Sequence, residues 1–275
     1  MIPKWWKGQK VPDSITIARV VSLYKKGDPE KQENYRPISL LNTFYKIIAA
    51  AIQRRLASSL DHLLMKTQYG FRKNKSTIDA LFVAKRMQEY AERAGHQGMM
   101  ILLDWEKAFD KISHEWLFKA LENFDIPKEI LGVIRALYKN PQFYVEIDGV
   151  KSKTARQSTG IRQGCPLSPY LFIMVMDRIF EIIPHIAGQH KEKMRIMQGS
   201  PGIKKSFSAL LYADDTLLCE NTENENQALL WAVEEVSGAF GLMLNKKKCQ
   251  KISVSKTGNI IFLDGTKVPE ATEAE

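Results

Sequence analysis

Cysteine is scarce in this chain of 275 residues. There are three, Cys165, Cys219 and Cys249, far apart and without a CxxC spacing. An odd, scattered set supports neither a disulfide framework nor a thiolate zinc site. The five histidines form no HExxH, and His185 and His190 read as scattered surface histidines rather than ligands. Long apolar runs are missing too. The best candidate, residues 170–176, is stopped by Asp177 and Arg178, far short of the roughly 20 residues that a membrane-spanning helix needs. The opening MIPKWWKGQK lacks the apolar stretch of a secretory signal. These absences point to a soluble, intracellular protein with no membrane partner. No internal repeat or low-complexity linker is visible.

Acid is the minority charge, with 31 acidic against 40 basic residues, a net charge of +9 and a pI near 9.3. Such an excess suggests an anionic partner, most often nucleic acid. With 44% hydrophobic residues there is material for a real core, near the upper size for one compact domain. Two subdomains sharing a continuous core are expected.

Residues 1–42 show little periodicity. Trp5 and Trp6 read as packing on the body, and Val20 to Tyr24 as a strand ending in the turn Lys26-Gly27-Asp28-Pro29. Helical spacing of Phe44, Ile47, Ile48, Ala51 and Ile52 predicts a helix over 43–60, with Arg54 and Arg55 off its apolar face. Ser76 and Asp79 form a capping-box pattern opening another helix, whose buried stripe is expected to be Ile78, Leu81 and Phe82. Met99 to Leu103 reads as a buried strand, followed by helices at 114–124 and 128–138 and a strand from Phe143 to Ile147 entering a hairpin at Asp148-Gly149. Ser168 and Pro169 suit the start of a helix over 170–182. Leu210 to Leu218 reads as a hairpin with Asp214-Asp215 at its tip. A helix at 226–240 with Gly241 as its cap, an edge strand at Leu242 to Leu244, and a frayed acidic end from Glu270 complete the reading.

The carboxylates carry the chemistry. Asp104 ends one apolar strand, and Asp214 and Asp215 sit between two others. If those strands are neighbours, three carboxylates meet at one sheet edge, where each raises the others' pKa. Hard divalent cations relieve that repulsion, and two such ions clamp an in-line phosphoryl transfer. From the acids alone, ordinary turn aspartates explain the pattern equally well.

The surrounding motifs break the tie. Tyr212-Ala213-Asp214-Asp215 resembles the catalytic box of reverse transcriptases. Asn34-Tyr35-Arg36-Pro37-Ile38-Ser39-Leu40, Gln68-Tyr69-Gly70-Phe71-Arg72 with Lys75-Ser76-Thr77, and Leu103-Asp104 through Ala108-Phe109-Asp110 follow in that family's order. So do Gly160-Ile161-Arg162-Gln163-Gly164-Cys165-Pro166-Leu167-Ser168-Pro169 and Gly241-Leu242 with Asn245 and Lys248. The wording is closest to the non-LTR (LINE-type) retrotransposon branch.

The resemblance implies an α+β fold with the fingers and palm of a polymerase right hand, its small antiparallel palm sheet backed by helices near 114–138 and 170–182. Fingers would span about residues 1–98, palm 99–142, a junction hairpin and loop 143–165, and palm again 166–275. The implied activity is an RNA-directed DNA polymerase adding dNTPs to a DNA primer on an RNA template, with two Mg²⁺ ions, or Mn²⁺ in their place. Asp104, Asp214 and Asp215 would hold the metals, and Lys248 would protonate the leaving pyrophosphate. Arg72 and Lys75 would hold the triphosphate, Phe109 would select the sugar, and Gln163 and Gly164 would lie under the nucleotide. Asp110 would order the local backbone, Cys165 would pack, and Lys246 and Lys247 would face phosphate or solvent. The resemblance ends near residue 250. Phe262-Leu263-Asp264-Gly265 is not accepted as the primer-gripping hairpin, and a thumb is expected to be missing, so processive synthesis is not expected of this chain alone. A group II intron-type maturase and a non-catalytic nucleic-acid-binding remnant are the alternatives.

Overall fold

The computed structural model describes residues 11–94, 99–198, 209–220, 222–253 and 258–271, with backbone alone at 33, 91, 94 and 191–198. Trp5 and Trp6 and the last four residues lie outside the described set. The chain divides into two compact units, one of Met1–Leu63 and Phe109–Val175, the other of Leu64–Ala108 and Met176–Glu275.

The first unit opens with a helical turn, α1 (Asp13–Thr16), and strand β1 (Ile17–Tyr24). β2 (Tyr35–Leu40) carries the Asn-Tyr-Arg-Pro segment and pairs antiparallel with β1. β4 (Gln142–Ile147) lies parallel to β1 on its other side, extended by the short β5 (Val150–Lys151) and β6 (Ala155–Arg156). The turn between β4 and β5 has positive φ at both Asp148 and Gly149, the geometry that matches strand twist in two-residue hairpins. Helices α2 (Thr43–Leu60), α5 (His114–Glu122) and α6 (Lys128–Tyr138) complete this unit, after the one-turn α4 (Ala108–Lys111) at its margin.

α2 has its expected ends, and Asn42 caps it by accepting a hydrogen bond from the Phe44 N–H at 2.9 Å. Its buried face differs from the expected one. Tyr45, Ile48, Ala49, Ile52 and Leu56 are inside, whereas Phe44 and Ile47 are about half exposed. The helix is apolar on more than one side, so spacing alone permits two stripes.

The second unit is built on a four-stranded antiparallel sheet in the order β7 (Ala209–Tyr212), β8 (Asp215–Glu220), β3 (Met99–Leu103), β9 (Gln250–Ser253). β3 is buried along most of its length and has a paired strand on each side. The strand beside β3 is therefore β9, and Leu242–Leu244 contributes a single bridge from Leu244 to Trp105 instead of the expected edge strand. Glu270 is also not frayed. It pairs with Lys251, whose backbone bonds Pro269 and Ala271 on either side.

Two helices pack on this sheet within the unit. α8 (Glu223–Ala239) lies against β8 and β3, and α3 (Thr77–Ala94) against β7. α3 opens with the expected capping box, Ser76 and Asp79 exchanging bonds. Its stripe is turned the other way: Ile78, Leu81 and Phe82 are 78%, 64% and 64% exposed, and among the helix residues whose side chains are described Ala80 is the buried one.

α7 (Ser168–Gln198) extends well past the expected 182. Residues 170–176 are buried on all sides, as a central helix requires. Its Asp177 accepts a hydrogen bond from the Met65 N–H at 2.5 Å. Burial lifts this carboxyl to about 6 against the pull of that bond, while an unfolded Asp titrates near about 3.9. The folded chain thus holds a proton that the unfolded chain has lost. Stability from this group is full below about pH 4 and is lost as pH rises through 6. Asp177→Asn keeps the acceptor oxygen and should lose about 2 kcal/mol less stability than the parent between pH 4 and pH 7 in urea unfolding. Equal pH slopes would show that Asp177 does not carry the effect.

Candidate active site

The site is assembled by strand register. In the β3–β8 ladder Leu103 stands opposite Thr216, and in the β7–β8 ladder Tyr212 stands opposite Asp215. One step beyond Leu103 is Asp104, which the same register sets against Asp215. Ala213 and Asp214 form the two-residue turn between β7 and β8, with Ala213 at φ +58°. That left-handed conformation costs an L-residue about 1 kcal/mol or more. It is the residue usually taken by Gly in such a turn.

The sheet end is braced from below. The buried Trp105 indole N–H donates to the Thr216 hydroxyl at 3.1 Å, locking the residues after Asp104 and Asp215 to each other. The segment from 243 pairs on the other side: the Asn245 N–H donates to the Asp104 carbonyl and the Glu106 N–H to the Met243 carbonyl, each at 2.8 Å. Cys249 accepts from the Asp104 N–H through Sγ at 3.5 Å, and burial pushes its thiol up to about 11, so it stays a neutral prop.

Asp214 and Asp215 are exposed, and the Asp104 side chain is 43% exposed. Asp215 is held above the ordinary carboxylate range, first by burial and then by the charges of Asp214 and Asp104. The three groups are therefore close enough to feel one another. The Lys248 ammonium stands 3.9 Å from Asp104 Oδ2 and offsets part of that charge. Among the described residues no three His, Cys, Asp or Glu side chains are already gathered as a metal-holding set. The donor chemistry nonetheless fits a hard divalent cation: three carboxylates on one sheet end, one of them destabilised by its like-charged neighbours.

Arg72 and Lys75 belong to the same unit. Arg72 Nη1 donates to the carbonyls of Met65 and Gln68 at 2.6 and 3.1 Å. Lys75 Nζ donates to the Lys66 carbonyl at 2.8 Å and lies over the Tyr69 ring. Both cations thus brace the 65–69 backbone. Lys246, expected to face phosphate or solvent, instead bridges Glu234 and Asp264 and covers the Phe262 ring. That turn is tied down by Gln227 and Trp231, both bonded to Ile261.

Phe109, Gln163 and Gly164 belong to the other unit. Phe109 stacks on Phe172 with ring centres 4.6 Å apart, and its carbonyl accepts from the Ile161 N–H. Gln163 Nε2 donates to Asp110 Oδ1 at 3.1 Å, and the Ser39 N–H donates to the Gln163 carbonyl at 2.7 Å. Gly164 has φ +107°, and a Cβ there would fall 2.6 Å from the Ser39 carbonyl oxygen. Asp110, expected to order its local backbone, has its carboxylate bonded to Gln163 of this distant loop. Sequence reading passed over Trp105 and Thr216, although both adjoin the aspartates and Thr216 closes the Tyr-Ala-Asp-Asp-Thr string.

The family described as reverse transcriptase (RNA-dependent DNA polymerase) matches residues 24–266. The chain is 30% identical over 213 residues to the transposon TX1 uncharacterized 149 kDa protein of Xenopus laevis, covering 78% of this chain and 16% of that protein. It is 28% identical over 249 residues to the retrovirus-related Pol polyprotein from type-2 retrotransposable element R2DM of Drosophila melanogaster, covering 90% and 22%. It is 25% identical over 268 residues to the RNA-directed DNA polymerase from mobile element jockey of the same species, covering 94% and 26%. The chain therefore spans about a quarter or less of these relatives. Among solved structures, telomerase from Candida albicans in complex with a TWJ fragment of telomeric RNA matches 97% of this chain and 47% of its own, at 14% identity and a TM-score of 0.59. Apo telomerase from Candida tropicalis truncated from its C-terminal domain matches 94% and 54%, also at 14% and 0.59. At that identity the likeness is one of fold. No described helix is long and apolar enough to cross a membrane. The ordered motifs, the carboxylate-bearing antiparallel sheet and the match over residues 24–266 together make this chain a member of the reverse transcriptase (RNA-dependent DNA polymerase) family, on its non-LTR retrotransposon branch.

Proposed function

We propose that this chain is the fingers-and-palm catalytic core of an RNA-directed DNA polymerase, adding dNTPs to the 3′-hydroxyl of a DNA primer on an RNA template. The observation that carries the reading is the register that sets Asp104 against Asp215, with Asp214 in the adjoining turn and Asp215 feeling the charge of both. Asp104, Asp214 and Asp215 would hold divalent cations, two Mg²⁺ in this reading. Metal ions held there would supply a lower pKa at the primer hydroxyl and charge neutralisation at the triphosphate and leaving pyrophosphate.

The remaining roles fall to the chain's own groups. Lys248 Nζ, beside Asp104, supplies a proton to the pyrophosphate oxygen, a modest contribution compared with positioning and charge. Arg72 and Lys75 exchange backbone carbonyls for triphosphate oxygens, Arg72 being suited to two at once. Gln163 and Gly164 support the nucleotide from a loop fixed by Asp110 and Ser39. Phe109 is the sugar gate: its ring, held by stacking on Phe172, crowds a ribose 2′-hydroxyl. The net charge of +9 suits an RNA–DNA partner and predicts salt-sensitive binding.

Two outcomes test this reading in single-nucleotide extension on an RNA–DNA hybrid. Asp104→Asn and Asp214→Asn should each keep the fold by circular dichroism and lose on the order of 10³-fold or more in rate, since electrostatic stabilisation is the largest catalytic contribution. Asp110→Asn should lose far less, through its loop. A folded Asp214→Asn chain extending at near the parent rate would end the metal assignment. Phe109→Ala should raise incorporation of rNTPs relative to dNTPs by about tenfold or more, the scale of one steric contact of roughly 1–3 kcal/mol. Unchanged sugar discrimination would remove Phe109 from the gate.

A further inference from the structure

Segment 67–70 runs beside the outer edge of β7. The Leu211 N–H donates to the Thr67 carbonyl at 2.9 Å, the Tyr69 N–H donates to the Leu211 carbonyl at 2.8 Å, and Gln68 and Leu211 form a parallel bridge. This brings Gln68, 2% exposed, against the carboxylate-bearing turn. Its side-chain Oε1 accepts two backbone bonds, from the Gly70 N–H at 2.8 Å and from the Ala213 N–H at 3.1 Å. Two converging donors fix which end of the amide faces the turn, since only the oxygen accepts.

Ala213 is the left-handed residue of that turn, and an L-residue stays in that conformation only where its surroundings hold it. The surroundings are this segment. A Cβ added at Gly70 would lie 2.2 Å from the Ala213 nitrogen and 2.8 Å from its Cα, so glycine is needed for closeness of approach between two backbones. The segment is itself secured: Asp177 accepts from the Met65 N–H, Arg72 bonds the Met65 and Gln68 carbonyls, and Lys75 bonds the Lys66 carbonyl. The Gln68 Nε2 is buried without a hydrogen-bond partner. The hydrogen bonds of this side chain are thus made through its acceptor. A carboxylate in its place would add a fourth negative charge beside Asp104, Asp214 and Asp215.

We propose that Gln68 is a positioning residue for the reaction. It clamps the Ala213 N–H and so fixes the turn from which Asp214 and Asp215 project, with Gly70 allowing the approach. The role in catalysis rests on the polymerase reading; the clamp itself does not. Hydrogen exchange at single amides, read by NMR, tests the clamp, and single-nucleotide extension tests its consequence. Gln68→Met keeps the volume and removes the acceptor. It should speed exchange at Ala213 by about tenfold, the scale of one lost hydrogen bond, while the β3 amides keep their protection. Its kcat should fall by about tenfold while the KM for dNTP stays within about twofold, because the change acts on orientation of the acids. Gln68→Glu restores the acceptor and should return Ala213 protection toward that of the parent. If Gln68→Met does not fold, Gln68→Asn replaces it, its amide being too short to reach both N–H groups. Unchanged exchange at Ala213 in the folded variant overturns the clamp, as does a uniform loss of protection over the whole sheet. A parent chain that extends no primer would end the polymerase reading and leave the exchange result to decide the clamp alone.

Discussion

The antiparallel pairing of β3 with β8 is the constraint on which the site depends. It sets Leu103 opposite Thr216 and so brings Asp104, the residue after Leu103, and Asp215, the residue before Thr216, to the same sheet end. Because side chains alternate along a strand, a slip of one residue would send one of these acids to the opposite face. The register is pinned where it matters most, by the buried Trp105–Thr216 hydrogen bond immediately below the acids. Pairing of 104–106 with 243–245 pins it from the other side and delivers Lys248 to Asp104.

Gathering like charges is costly, and the surroundings are arranged to limit that cost without removing it. The acids remain open to solvent, Lys248 supplies one opposing charge, and the thiol of Cys249 stays neutral through burial. Asp215 nonetheless binds its proton more tightly than an ordinary carboxylate. The strained turn at Ala213 adds to the same picture, since strain at a site persists only when the structure around it over-determines the geometry.

Much of this was legible in the sequence. The strand at 99–103, the hairpin around Asp214, the helices at 43–60, 114–124 and 128–138 and the capping box at Ser76 follow from periodicity and local side-chain chemistry, which act over a few residues. The misreadings share one cause. Ile78, Leu81 and Phe82 form a good apolar stripe, yet α3 buries the small Ala80 and leaves the stripe outside. Which face of an apolar helix enters the core depends on what it packs against, and that partner lies far away in sequence. The same holds for β9 taking the place expected for 242–244, and for the paired Glu270. The acids were visible because they stand beside apolar runs. Gln68 stood within a recognised motif, but its acceptor role depends on Ala213, distant in sequence, and needed the fold to be seen.

The central claim is that three carboxylates, Asp104 from one segment and Asp214 and Asp215 from another, act together as one divalent-cation site. Electron paramagnetic resonance of Mn²⁺ titrated into the chain, with no nucleic acid present, measures this directly. The account predicts saturable binding that weakens by about tenfold or more in Asp104→Asn and in Asp214→Asn, because each substitution removes one neighbouring charge and one oxygen donor. Asp148→Asn, at an exposed turn in the other unit, should bind as the parent does. Equal Mn²⁺ binding by the parent and all three variants would contradict the account.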